Sequence, residues 1–175
     1  MIPIEGRVWA GATTVTVRSG FNRPGDTTQY TINDNVGPNA TTGGAQRLEG
    51  CARVEGGTGI LYSALMFIST DAATNPNFDL VLFDTNNLTV AADNAAGTIT
   101  DAEAEHCVAV ITFDGTNANN VCTVGPNLII GCTSIGQAFK CAPDSTDLWY
   151  VIVDRGGYTP ASAERIEVKI NIFQD

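Results

Sequence analysis

Arg165-Ile166-Glu167-Val168-Lys169-Ile170-Asn171-Ile172-Phe173 alternates without a fault: Ile166, Val168, Ile170 and Ile172 share one face, and Arg165, Glu167, Lys169 and Asn171 the other. A period of two with one apolar and one polar face is the mark of a strand half-buried on a core. The same pattern recurs upstream. Thr14-Val15-Thr16-Val17 alternates within residues 7–18, and Thr28-Gln29-Tyr30-Thr31-Ile32 alternates after the turn residues Asn22-Arg23-Pro24-Gly25-Asp26. In that turn Pro24 fixes φ and Gly25 tolerates a positive one. Residues 48–54 and 59–69 read as strands joined at Gly56-Gly57. Ile60-Leu61-Tyr62-Ser63-Ala64-Leu65-Met66-Phe67-Ile68 is apolar on both faces, so a central strand covered on both sides is expected there.

Further strands are expected at residues 78–84, 108–113, 120–124, 128–130, 135–139 and 148–153, separated by Asn-, Gly- and Pro-rich turns. Residues 33–44 read as a flexible connection. Thr100 and Glu103 have the capping-box spacing, which predicts one short helix of about two turns ahead of His106. About eight to ten strands without recurring amphipathic helices predict an all-β fold, an antiparallel β-sandwich that is jelly-roll-like. The expected organisation is a single domain: residues 1–20 as an extended N-terminal arm and first strand, and residues 21–175 as the sandwich.

The composition narrows the partners. The chain has 175 residues, 43% apolar and only 16% charged, with 9 Lys and Arg against 19 Asp and Glu. That length can bury a substantial core. A net charge of −10 repels phosphate backbones and anionic lipid, so neither nucleic acid nor a membrane is an expected partner. No apolar run approaches the ~18 residues of a membrane helix, and Met1-Ile2-Pro3-Ile4-Glu5-Gly6-Arg7 lacks the pattern of a secretion signal. The expectation is folding where the chain is made. Cys51, Cys107, Cys122, Cys132 and Cys141 form an odd set without a CxxC, read as reduced and mostly buried, with a disulfide between distant strands as the alternative under oxidising conditions.

Catalytic chemistry finds little to stand on. His106 is the sole histidine, flanked by Glu105 and Cys107, and neighbouring side chains diverge, so a Cys/His nucleophilic pair is not expected. There is no GxSxG, HExxH, P-loop or GxGxxG motif, and no cofactor is expected. Acidic loop residues such as Asp71, Asp93, Asp101, Asp114 and Asp144 lack a contiguous calcium-loop pattern. Paired carboxylates of a glycosidase would need aromatic platforms, and aromatics are 7% of the chain, mostly at strand positions that read as buried. The sequons at Asn39 and Asn87 are expected by chance in a chain rich in Asn and Thr.

Three stretches carry a family resemblance: residues 61–71 followed by Asn77-Phe78-Asp79-Leu80-Val81-Leu82-Phe83-Asp84; Ala91-Ala92-Asp93-Asn94-Ala95; and Leu148-Trp149-Tyr150-Val151-Ile152-Val153 ahead of the 166–173 strand. Over residues 45–173 their order and spacing resemble the jelly-roll head decoration, or cement, proteins of tailed bacteriophages. The resemblance implies a non-enzymatic homotrimer on the outer surface of the virion capsid, assembled in the bacterial host cytoplasm. There it would clamp adjacent subunits of the major capsid protein at or near three-fold axes. Members of that group contribute no catalytic residues. The apolar terminus places Ile2, Pro3, Ile4, Arg7 and Trp9 as candidate capsid or inter-subunit contacts, with an arm folded back on its own sandwich as the alternative. A second class of function, a carbohydrate- or receptor-binding sandwich on a phage tail or fibre, would require Trp9, Trp149 or Tyr158 to stand exposed beside a shallow acidic groove. A hydrolase would have to use His106 or Asp79.

Overall fold

In a computed structural model of the chain, residues 13–69, 75–132 and 134–175 are described. Residues 1–12 of the expected 1–20 arm and first strand lie outside them, as do Asp71 and the rest of 70–74.

Two antiparallel sheets carry the chain. The first contains β1 (Thr13–Asn22), β4 (Thr58–Ile68), β7 (Val121–Val124), β8 (Asn127–Cys132), β9 (Gln137–Lys140) and β11 (Arg165–Gln174), in the order β1-β11-β4-β8-β7, with β9 also paired to β4. The second contains β2 (Asn35–Val36), β3 (Gln46–Leu48), β5 (Asn77–Phe83), β6 (Cys107–Asp114) and β10 (Leu148–Asp154), in the order β2-β10-β5-β6, with β3 also on β10. The pairings are nested. β1 joins β11, the β2/β3 stretch joins β10, β4 joins β8 and β9, and β5 joins β6, each antiparallel. A long hairpin rolled up so that first pairs with last and inner with inner is the jelly roll, so the expected fold is the observed one.

Strict alternation builds the core. In β11 every second residue from Ile166 to Ile172 is fully buried, and β10 adds Leu148, Tyr150 and Ile152 from the opposite sheet. They meet Leu61, Ala64, Met66 and Ile68 of β4 and Phe78, Leu80 and Leu82 of β5 in one apolar cluster. Burying a side chain of this size contributes about 1.5–3 kcal/mol, which is what fixes the register, since a slip by one residue would turn all of them outward.

Several local expectations need correction. Thr28–Ile32 forms no strand: only Tyr30 of that stretch is buried, Ile32 is exposed, and the Thr31 amide is taken by the Asp34 carboxylate ahead of Asn33 at φ 79°. The strand expected over 48–54 stops at Leu48, because Gly50 at φ +70° and its amide bond to Asp147 Oδ1 (2.8 Å) turn the chain. The 33–44 connection contains β2. The helix α1 (Asp101–Ala104) is one turn rather than two, with both arms of the capping box formed between Thr100 and Glu103. The largest correction concerns β4. Its inner face is buried as expected, but its outer face is open, with Ile60, Tyr62 and Leu65 at 44, 51 and 41% exposure.

Candidate interaction surfaces

The open face of the β4 sheet is laid out by register. Across it run Thr14–Phe173–Ile60–Ala138, Arg18–Lys169–Leu65–Gly131 and Gly20–Glu167–Phe67–Ile129–Cys122. A bulge opposite Asn171 and Ile172 inserts Tyr62 as an extra residue, and its ring meets Phe173 edge-on at 5.1 Å. The β4, β8 and β7 half is therefore apolar, extended by exposed Val124 beside Asn127. The β1 and β11 half is cationic: Arg18, Arg165 and Lys169 stand there around Glu167, which bonds Arg165 at 2.7 Å and approaches Lys169 at 3.5 Å, while Asp175 accepts from the Thr58 hydroxyl (3.0 Å) at the far end of the face. Both halves follow from sequence, the first from the two-sided apolarity of residues 60–68 and the second from the polar phase of β11.

The other sheet is covered where this one is open. Residues 85–100 and α1 lie over Phe83, Val151 and Val153, leaving an apolar cleft of about 330 Å³ that also involves Leu88, Val90 and Ile99. Glu103 anchors that cover. Its carboxylate accepts from the Thr100 amide (2.8 Å), the Thr89 amide and the Thr100 hydroxyl (2.9 Å), and these donors hold its pKa down at about 2.

A polar basin lies at the margin of the same sheet, lined by Arg47, Asp84, Asp144, Asp147 and half-buried Trp149. Asp147 pairs with Arg47 at 2.5 Å; burial alone would raise its pKa, but the Gly50 amide and the guanidinium outweigh burial and keep it low. His106 Nδ1 sits 2.7 Å from Asp84 Oδ1. The neighbouring Cys107 thiol turns away and donates to the Ala109 carbonyl at 3.7 Å, and burial raises its pKa, so no Cys/His pair forms. Asp79, the other candidate for hydrolysis, accepts from the Thr112 hydroxyl (2.7 Å) and faces Arg155 at 3.3 Å. Among the described residues no cluster of His, Cys, Asp and Glu forms a metal site.

Of the residues singled out from sequence, Ile2, Pro3, Ile4, Arg7 and Trp9 lie outside the described residues. Thr13, the first described residue, pairs with Gln174 at the end of the open face where Gly59 and Ile60 begin. Tyr158 is buried, with its hydroxyl donating to Glu164 (2.9 Å), so it cannot serve as a binding platform. The cysteines are free but not mostly buried. Cys51 and Cys141 are buried, with thiol pKa values pushed up by burial to about 12 and about 11, whereas Cys107 and Cys122 are exposed and Cys132 is intermediate.

Sequence reasoning missed a buried ionic network. Arg23, at the end of β1, donates Nη2 to Asp93 Oδ2 (2.9 Å) and Nε to the Tyr30 hydroxyl, which donates to Asp93 Oδ1 (2.6 Å); the Gly37 amide adds a fourth bond (2.8 Å). Burial disfavours the Arg23 charge, but Tyr30 and Asp93 more than compensate, and its pKa is raised. Tyr30 itself is pushed far up by burial and by its bond to Asp93. The network ties the loops at 23–37 and 85–97 into one rigid end. Its only signal in the sequence was a lone arginine inside turn chemistry.

No protein-family model matches the chain, and no curated protein does. Among solved structures it is similar to a chain of the cyanophage Pam1 capsid asymmetric unit, at 11% identity and TM-score 0.37, covering 100% of this chain and 92% of that one. A chain of Triatoma virus matches at 9% and 0.29, covering 91% and 63%, and one of turnip yellow mosaic virus at 15% and 0.26, covering 93% and 81%. At these values the jelly-roll assignment rests on the chain's own strand nesting.

Proposed function

We propose that this chain is a virion structural protein that binds the outer surface of a bacteriophage capsid as a trimer and stabilises contacts between major capsid protein subunits. The observation that carries the reading is the open, apolar outer face of the β4 sheet, where Ile60, Tyr62 and Leu65 stand exposed together, since a patch of that kind marks an association surface. The resemblance over residues 45–173 points the same way. Repetition supplies the strength: many modest contacts, multiplied by shell symmetry, hold a capsid without a catalytic centre. Ile2, Pro3, Ile4, Arg7 and Trp9 are proposed as contacts to the capsid or a neighbouring subunit. Deleting residues 1–9 is expected to lower capsid occupancy with the unfolding midpoint unchanged, and full occupancy after deletion would remove that role.

The deciding experiment is quantitative mass spectrometry of purified particles. A fixed ratio to the major capsid protein, set by the shell's symmetry, is expected; absence from the particle refutes the virion reading. A handful of copies per particle would instead favour receptor binding on a tail or fibre. That second reading has one observation of its own, half-buried Trp149 beside Asp84 and Asp144 in the polar basin. A glycan array without binding would count against it.

A further inference from the structure

We infer that the outer face of the β4 sheet is the surface through which copies of this chain join, each seating it on the acidic margin of the next copy around Asp84, Asp101, Glu105 and Asp144. The inference rests on the trimer reading above and assigns it a surface. Three observations support it. First, size: five strands about 4.8 Å apart and roughly 27 Å long present on the order of 600 Å², near the ~600–1,000 Å² per partner of a stable interface. Second, composition: Ile60, Tyr62, Leu65, Phe67, Ile129 and Phe173 form an apolar centre beside a polar rim, the usual anatomy of an association surface.

Third, charge selects the partner. Four of the chain's nine cations, Arg18, Lys140, Arg165 and Lys169, lie on this face against the carboxylates Glu167 and Asp175, in a protein of net charge −10, so the rest of the surface is strongly acidic. Asp84 and Asp144 line one basin, His106 on Asp84 follows Glu105, and Asp101 and Glu105 at α1 are exposed. Pairing two copies face to face with β11 over β11 would instead set cation against cation, and with β11 over β4 would bury cations on apolar side chains. Unlike surfaces make a heterologous contact, which gives a ring when its rotation closes, at a third of a turn for a trimer, rather than a two-fold dimer.

The test uses the full chain in sedimentation velocity across concentration and salt. A wild-type trimer is expected, with Leu65→Glu weakening association by about 100-fold or more, as for a residue at an interface centre. Val110→Glu, at a more exposed apolar position on the other sheet, should leave the trimer intact. Lys169→Glu provides a second, surface-only variant, expected to weaken association with a smaller salt dependence than wild type, so loss of folding in the first variant does not decide the matter. A trimer indifferent to both Leu65→Glu and Lys169→Glu overturns the surface while leaving the trimer reading in place. A two-fold dimer overturns the heterologous contact, and a monomer at every concentration overturns both, while the copy number on particles judges the virion role separately.

Discussion

Replacing Asp93 by alanine removes the hub of the buried network and leaves Arg23 charged in a site where its side chain has no solvent exposure. The carboxylate, 1% exposed, accepts from the Tyr30 hydroxyl, the Gly37 amide and the Arg23 guanidinium. The two neutral donors are worth about 1 kcal/mol each and the charged one about 1.5–3 kcal/mol, giving about 3.5–5 kcal/mol. Breaking a buried ion pair from one side costs about 3–5 kcal/mol by a separate route, so the two lines agree. For a chain of this length each kcal/mol moves Tm by about 2–4 °C, so a fall of roughly 10–15 °C is expected. Urea unfolding followed by fluorescence and circular dichroism measures it. The double variant Arg23→Met with Asp93→Leu should recover more than half of the loss, because no charge is then stranded. A single-variant loss below about 1 kcal/mol would refute the reasoning and show that water or movement of the loops at 23–37 and 85–97 satisfies Arg23 cheaply.

Three other outcomes follow from the same structure. A Cβ at Gly43 would stand 1.6 Å from the Val90 carbonyl oxygen, so Gly43→Ala must shift backbone and should cost about 1–3 kcal/mol in a denaturant titration, whereas Gly44→Ala, with open space around it, should be nearly neutral. Glu103 has its pKa lowered from 4.5 to about 2 by the Thr100 and Thr89 donors, so its contribution is complete above pH 4.5 and is lost as pH falls towards 2; Glu103→Gln should flatten the stability profile across that window and leave the profile from pH 5 to 7 parallel to wild type. Native thiol labelling followed by mass mapping should modify Cys122 first and Cys107 more slowly, while Cys51 and Cys141 react only on unfolding, and rapid labelling of Cys51 in the native state would contradict its burial.

Legibility followed the strength of the local signal. The 165–173 strand was readable because eight residues, 165–172, alternate with no exception, and its register with β1 and β4 places every predicted core residue inside. The capping box was readable because two side chains three apart satisfy each other's backbone amides, a purely local device. Thr28–Ile32 misled because five alternating residues are too few to outweigh the competing Asp34 and Asn33 turn. The Arg23–Tyr30–Asp93 network was invisible because its members are 7 and 70 residues apart in the chain, and no periodicity records a contact made by loop closure. For Tyr158 the sequence offered an aromatic in a Gly-rich turn, and only the fold revealed that Glu164 and Tyr30 enclose it.

The reading of β4 failed in a way that carries information. Two-sided apolarity in residues 60–68 predicted a strand covered on both faces, and among the described residues none covers the second face, although the opposite sheet receives a cover from residues 85–100. Exposed apolar side chains on a β surface cost free energy in water and invite aggregation, so Ile60, Tyr62, Leu65 and Phe67, held together at positions aligned with Phe173 and Ile129, mark an association surface. The cations flanking the patch are the usual guard of such a surface against indiscriminate pairing, because they repel an identical face. On the inference drawn above, apolar centre and cationic border select the same partner, a surface that is acidic and not the same face, and the two-sided apolarity of residues 60–68 is the sequence pattern such an assembly requires.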